Sequence, residues 1–530
     1  MSKKEKYTEE QINFVRNLVE NGSQVTPAAR EMCKHFNLEY DDATYGRGMR
    51  KKMQKLGVTN NAVTIEDTDV FKNAQNKKHD NTKKRFIISW AQSETPVHKK
   101  FLKNMEVYAQ EIDAEILICA GRYKNPSSLS ASEAVKNKEK DKKNSWDNLV
   151  LPYLDANRHN LHKYLQLLSD VKTQPTASTP LSGMNSITGM ESCIIGHPRV
   201  QLQSLPVADG YPHKLLLTTG ACTLPNYTDT SVGKKGEFHH QFGFVIVEIE
   251  GKDFHVRQVI ADNDGSFYDL IYKVSNAEVS TCCSSIPAIV FGDIHYGHHN
   301  QKALDTSLEL ARKLNAEKVI IHDLCDSGAI SHHEQKDPFQ LLKREEDGSW
   351  NLRTELDLIA NWINSNKDLN FYVVRSNHDD FIDRWLCNSD WRKSTNKKLY
   401  LELANLVAQG EITKGVLPYI LEKETENAYG LALDESLNIL GFELGSHGHV
   451  GIHGARASAT SLKTLPMKTV TGHRHVPERV DGHLCVGTLT ELRVGYNKGF
   501  SGWLHSNVVI YPNGKASHIH IINGKFTTLI

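Results

Sequence analysis

The sequence predicts an α/β protein that carries a small helical module at its front. Three observations point there. Apolar runs of four to eight residues recur from Arg85 onward and end in polar loops. Amphipathic helical stretches alternate with these runs. Residues 7–57, by contrast, show helical periodicity only.

The front module reads as three helices. Ile12, Phe14, Val15, Leu18 and Val19 form a stripe that ends at Asn21-Gly22. Thr26-Pro27 opens a second helix, with the threonine as cap and the proline at the first helical position. A third, from Asp42 to Leu56, carries Arg47, Arg50, Lys51, Lys52 and Lys55. Helix, tight turn, helix and basic helix is the order of a helix-turn-helix nucleic-acid reader. A three-helix protein-interaction module with a solvated basic face is the alternative. Residues 58–84 are polar and aperiodic and read as a linker.

Residues 85–284 read as a mixed α/β domain of open role. Arg85–Trp90 is a predicted strand, Pro96–Ile112 an amphipathic helix and Ile116–Cys119 a second strand, together a β-α-β unit. The lysine-rich stretch Ala134–Asn144 reads as an exposed loop. GKKGEFHH (Gly233–His240) lacks the spacing of a phosphate-binding loop and reads as a hairpin turn. No internal repeat is evident.

Residues 285–530 repeat the pattern strand, polar loop, helix. Helices are expected at Lys302–Leu314, Thr354–Asn364 and Asn396–Ala408. Strands are expected at Ala288–Phe291, Lys318–Ile321, Phe371–Val374, Ile439–Phe442, Lys468–Thr471 and Leu484–Val486. The first five of these end in GDIH (292–295), HDLCD (322–326), RSNHD (375–379), GSHGH (445–449) and GHRH (472–475). Open α/β sheets place ligands at such ends. The groups offered are Asp293, His295, Asp323, Asn377, His447, His473 and His475. Burying them together without a partner charge would be costly. They exceed what one divalent ion takes and suit two ions with a bridging aspartate. Carboxylate, amide and imidazole ligands without thiolate favour Mn, Fe or Zn.

Asp-x-His, an aspartate about 30 residues on, Asn-His-Asp, His-Gly-His and Gly-His-x-His occur here in order across residues 286–490. This series resembles the calcineurin-like metallophosphoesterase superfamily. With the helical front, TPVHKKF and GRYKNP, the chain looks like the DNA-directed members from tailed bacteriophages, with Mre-type nucleases as mechanistic relatives. The resemblance implies a four-layer αββα sandwich over residues 285–530 and two divalent ions, manganese first, with Mg, Fe or Zn as alternatives. Asp293, His295 and His475 would hold one ion. Asn377, His447 and His473 would hold the other, and Asp323 would bridge. His378 would protonate the leaving oxygen while Asp379 orients its ring, and the nucleophile would be a metal-activated hydroxide. The family usually has glycine where His322 and Ser376 stand here. Asp326 would either hydrogen-bond a ligand or be an alternative ligand, with Asp323 favoured as the bridge. His449 could replace His447. His298, His299, His332 and His333 flank the site as solvated loop histidines or substrate contacts.

The implied activity is cleavage of DNA by a manganese-dependent nuclease. A phosphatase or cyclic-nucleotide diesterase, and a catalytically silent DNA-binding regulator, are the alternatives. Lys+Arg and Asp+Glu both number 63, so the net charge is zero and nucleic-acid contact must be local. The nine scattered cysteines suit a reducing compartment. The charged start MSKKEKYTEEQ is no signal peptide, and no apolar run would span a bilayer. A cytoplasmic protein (host cytoplasm if phage-encoded) that forms a homo-oligomer and acts on DNA, not membranes, is the expectation.

Overall fold

Residues Arg85–Gln92 read RFIISWAQ, and all but the first are buried. A strand apolar on both faces needs cover on both, and that requirement organises the molecule. The computed structural model describes residues 6–20, 25–56, 58, 68–123, 145–281, 285–331, 337–494 and 497–530. Asn21-Gly22, the 134–144 lysine stretch, His332 and His333 lie outside these residues.

The front module has helices α1 (Glu9–Glu20), α2 (Val25–His35) and α3 (Arg47–Lys55). They close around Val15, Val19, Ala28, Met32, Met49 and Met53. The expected linker contains helix α4 (Thr68–Gln75), whose Ala74 packs into the next core with Val70 and Phe71 beside it.

A first lobe follows. Its strands are β1 (Arg85–Gln92), β2 (Glu115–Gly121), β3 (Leu154–Asp155), β4 (Arg158–His162), β5 (Leu165–Leu168), β6 (Ser192–Ile195), β7 (Gln201–Leu205), β8 (Lys214–Thr218), β9 (Gly243–Glu250) and β10 (Asp253–Ile260). Helices α5 (Lys99–Glu111) and α6 (Ser231–Phe238) belong to it. Helix α6 replaces the hairpin expected at Gly233–His240. Thr230 caps it by accepting from Gly233 N, and a side chain at Gly233 would run into Thr228 O, so the glycines serve close packing. The small antiparallel sheet β11 (Phe267–Asp269), β12 (Tyr272–Ser275) and β13 (Glu278–Thr281) closes the lobe.

The second lobe has β14 (Ala288–Val290), β15 (Val319–His322), β16 (Phe371–Val374), β17 (Ala428–Gly430), β18 (Asn438–Ile439), β19 (Phe442–Glu443), β20 (Lys468–Thr471), β21 (Glu478–Val480), β22 (His483–Cys485), β23 (Ser506–Ile510) and β24 (Ala516–His520). Its helices are α7 (Gln301–Lys313), α8 (Pro338–Asp347), α9 (Leu352–Asn364), α10 (Asp380–Asn388), α11 (Lys397–Ala408), α12 (Val416–Glu424) and the single-turn α13 (Ala459–Leu462). Among the described residues no helix is long and apolar enough to cross a membrane.

The two lobes repeat one topology. A five-stranded sheet runs β10-β9-β1-β2-β3, and a six-stranded sheet runs β24-β23-β14-β15-β16-β17. In both, an antiparallel edge hairpin precedes strands paired in parallel. The other strands form a single ten-stranded sheet, β18-β19-β20-β22-β21-β7-β8-β6-β5-β4. Read outward from its middle, each half has the same order and the same strand senses. The halves join where β21 pairs antiparallel with β7. This repeat is the feature missed in the sequence. The shared sheet also runs across residue 284/285.

Arg479 pairs with both Leu202 and Leu484, so all three point to one face of the ten-stranded sheet. Over the first half that face meets the five-stranded sheet through Ile88, Trp90, Leu117, Leu202, Leu217 and Val245. Over the second half it meets the six-stranded sheet through Val290, Ile320, Val470, Leu484 and Val508. The outer faces of the two smaller sheets carry the helices: α5 on one, α7 and α9–α12 on the other. On the far face of the ten-stranded sheet, Leu168, Ile195 and Leu216 are covered by Leu181 and its neighbours rather than by a helical layer.

Candidate metal centre

Four strands of the second lobe run parallel or turn together so that their polar ends meet. Asp293 and His295 follow β14, Asp323 follows β15, Asn377 and His378 follow β16, and His473 and His475 follow β20. His447 arrives on the loop after β19. The backbone is unusual there: His295, Asp323, His473 and His475 all have positive φ, at 46°, 44°, 72° and 59°. Non-glycine residues rarely adopt that region, and such outliers cluster at functional sites. Gly472 is required between them, since a Cβ there would run into Asp293 Oδ1 and His322.

Ligand-capable atoms form two groups that share one residue. Asp293, His295, Asp323 and His475 each offer an atom within 4.8 Å of the others, and so do Asp323, His447 and His473. His475 Nε2 lies 3.0 Å from Asp293 Oδ2 and 3.2 Å from His295 Nε2. His295 Nε2 lies 3.4 Å from Asp323 Oδ2, and His447 Nε2 lies 3.1 Å from the same oxygen. Asp293 Oδ1, Asp323 Oδ1, Asn377 Oδ1 and His475 Nδ1 are buried without a hydrogen-bond partner. Buried polar atoms are normally satisfied. A set of orphaned oxygens and imidazole nitrogens is what a borderline or hard divalent cation would satisfy, so the residues fit a metal. His449 belongs to neither group, although its ring centroid lies 5.4 Å from that of His447 and its Nδ1 is also buried without a partner.

A third group links the centre to its surroundings. Asp326 Oδ1 lies 3.0 Å from His295 Nδ1 and 3.4 Å from His378 Nδ1, and His378 Nδ1 is 3.2 Å from the Asp326 carbonyl. Asp326 thus fixes which nitrogen His295 presents inward. This corrects the role expected of Asp379. The Asp379 carboxylate accepts from Ser376 N, Ser376 Oγ and Cys325 N, and no bond joins it to His378. The chain turns into α10 at Asp380, which swings Asp379 away from its neighbour's ring. Ser376, standing where glycine was expected, is used as that carboxylate's partner. His322 is fully buried, with Nδ1 3.4 Å from His447 Nδ1.

Charge follows geometry. Burial favours a protonated Asp323, but His447, His295 and His378 hold its carboxyl well below the usual range. Burial opposes charge on His295, yet Asp323 and Asp326 raise it well above an ordinary histidine. His378 is likewise raised against its burial, by Asp323 and Asp326. His473 is pushed down to about 4 by burial and His447. Burial, then Asp323, lifts Asp379 to about 7.

The first lobe has the same strand ends without the same residues. Cys222 N donates to Trp90 O as Leu489 N donates to Asp293 O. Gly196 abuts Trp90 and Cys119 as Gly472 abuts Asp293 and His322. Trp90 therefore stands in the place of Asp293. Its indole, 1% exposed, packs on Gly121 and Gly196. His197, beside Gly196 as His473 is beside Gly472, has both ring nitrogens engaged, by Gln174 O and by Arg199 N. Among the described residues, metal-competent groups occur in the second lobe only.

The basic helix meets the first lobe. Arg47, Lys51 and Lys55 are exposed, whereas Arg50 forms an ion pair with Asp229 of the first lobe and Lys52 is half-buried. His298 Nε2 lies 3.5 Å from Asp326 Oδ2, and His299 stacks on Tyr296. Sequence reading missed Trp503, whose ring sits 4.1 Å from that of His475. No motif marks it.

No protein-family model matches the chain, and no solved structure matches it. The chain is similar to Protein A1 of Escherichia phage T5, with 30% identity over 466 residues, covering 84% of this chain and 83% of that protein. At that identity and coverage the chain belongs to the family of phage T5 Protein A1.

Proposed function

We propose that the chain is a two-metal phosphodiesterase on a metallophosphoesterase-type sandwich, acting as a manganese-dependent deoxyribonuclease of phage type. The observation that carries this reading is the pair of ligand groups sharing Asp323, with their orphaned buried atoms. Asp293, His295 and His475 would hold one ion, and Asn377, His447 and His473 the other. When bound, two divalent ions supply the charge that acidifies a water and neutralises phosphodiester oxygens.

The chain's own residues do the rest. Asp326 holds His295 by Nδ1, leaving Nε2 for the centre. The same carboxylate and its carbonyl hold His378 by Nδ1, leaving Nε2 to carry a proton to the leaving oxygen. The exposed Arg47, Lys51 and Lys55 supply a basic surface for the DNA backbone. DNA is the partner this reading implies, and self-association is part of it.

The test is digestion of plasmid DNA by purified protein with Mn²⁺, with chelator and Asp323→Asn as controls. Cleavage that both controls abolish is expected. Hydrolysis of bis-p-nitrophenyl phosphate with intact plasmid would favour a small-molecule diesterase instead, a reading supported by the zero net charge. Removing residues 1–57 should weaken DNA cleavage and spare the small ester; equal loss or no loss of both would remove the basic helix from the account.

A further inference from the structure

We propose that the cleft between the lobes, beside the metal centre, binds a nucleotide of the substrate strand, with Tyr211 and Phe500 stacking on its base. The inference rests on the phosphodiesterase reading and adds where the substrate lies.

The topology places this cleft. Because β7 runs antiparallel to β21, the C-terminal end of β7 lies at the same end of the shared sheet as the C-terminal ends of β20, which bears His473 and His475, and β22. The first lobe's own strand ends, at the opposite side, are filled by Trp90. What it turns toward the centre is its β7–β8 connection, residues 206–213. That connection, the β9–β10 turn, the start of α7, Leu492-Arg493 and residues 501–505 line a cavity of about 420 Å³. This is within the size range of small-ligand pockets.

The cavity abuts the centre through Trp503, which lines it and packs on His475 at 4.1 Å between ring centroids. Two large aromatics are water-exposed here: Tyr211, which lines the cavity, is 56% exposed, and Phe500, the chain neighbour of the lining residue Ser501, is 80% exposed. Exposed rings beside a basic groove are how unpaired nucleic acid is bound, because every base has a face to stack. Lys252, Lys302 and Arg493 line the cavity. Arg493 also braces it, donating to Val207 O at 3.0 Å and Gly499 O at 2.6 Å. The acids present are Asp253, which accepts from Asn523, and Asp209, which lies 3.6 Å from Arg493. Cations therefore outnumber acids, as a phosphodiester strand requires.

The test uses the full chain and a short single-stranded oligonucleotide carrying 2-aminopurine, with Ca²⁺ in place of Mn²⁺ to separate binding from cleavage. In Tyr211→Ala/Phe500→Ala the Kd should rise about ten-fold for each lost stack. Fluorescence quenching of the 2-aminopurine should fall with it. Both positions are exposed, so folding is not at stake; a matched thermal midpoint checks this. Unchanged affinity and quenching in the double variant, or no oligonucleotide binding by the wild type, would overturn the cleft. Mn²⁺-driven hydrolysis of bis-p-nitrophenyl phosphate is followed in parallel. If the wild type hydrolyses neither ester nor DNA, the proposed function fails, and the titration still decides the cleft by itself.

Discussion

Asp326→Asn separates the two duties that the structure gives to one carboxylate. Asp326 Oδ1 faces His295 Nδ1 at 3.0 Å and His378 Nδ1 at 3.4 Å. The amide keeps an acceptor and removes the charge. A hydrogen bond to a charged group contributes about 1.5–3 kcal/mol and a neutral one about 0.5–1.5, so each contact should weaken by about 1–2 kcal/mol. The His295 share should appear as about ten-fold weaker metal binding, the range typical of groups that orient a ligand. The His378 share should appear as about ten-fold lower kcat at saturating Mn²⁺. The assay is kcat for bis-p-nitrophenyl phosphate at saturating metal, with Mn²⁺ affinity measured by calorimetry. Asp379→Asn is the control. Its carboxyl is lifted to about 7 by burial and Asp323, so near neutral pH the amide is close to a form it already populates. Full kcat in Asp326→Asn, alongside a fall in Asp379→Asn at unchanged thermal midpoint, would show that Asp379 orients the ring and that this reasoning is wrong.

Three further outcomes follow from the same geometry. Free Mn²⁺ at about a hundred times its Kd should stabilise the fold by about 2.7 kcal/mol, read as a higher thermal midpoint; an equal rise in Asp323→Asn would place the metal elsewhere. Arg257→Met should destabilise by about 3–5 kcal/mol in chemical denaturation, because it strands the buried Glu248 and Asp269 carboxylates; a change under 1 kcal/mol would contradict the pairing. Burial pushes His197 down to about 4 and His518 to about 3, so both stay neutral in the fold while the unfolded chain takes up protons below about 6.5. Stability is full above that pH and should be lost as pH falls toward 4, by about 3 kcal/mol for each histidine; a flat denaturation midpoint between pH 6.5 and 4 would sink this account.

The second lobe was legible in the sequence because its strands end abruptly. Apolar runs stopping at Asp293, Asp323, Asn377 and His473 announce both the strand and the loop chemistry, and the structure gathers those ends. The role that the resemblance implied for Asp379 is not the one it has, because the start of α10 turns its carboxylate inward to Ser376 and Cys325. Gly233 and Gly236 suggested a turn, whereas they let α6 pack closely against Thr228 and Tyr227. The repeat stayed hidden for a stronger reason. Strand order and sense leave no periodicity, and the residues that would have advertised the first lobe are replaced, Asp293 by Trp90 and His322 by Cys119.

That replacement goes deeper than point changes. In the first lobe β3 ends at Asp155 and β4 begins at Arg158. In the second, the corresponding strands β16 and β18 are separated by residues 375–437, which carry Asn377, His378 and helices α10–α12. The first lobe thus lacks the whole segment from which an amide ligand and a proton donor would come. Restoring a carboxylate should therefore not restore a centre. Trp90→Asp removes a fully buried indole, a loss of about 3–5 kcal/mol, and leaves a carboxylate among Ile88, Leu117 and Val245 without a cation to meet it. Denaturation should show a large loss of stability, and metal analysis should show the same Mn²⁺ content per chain as the wild type. Extra manganese bound by that variant would mean that the first lobe keeps a complete ligand set, and that its silence depends on the indole alone.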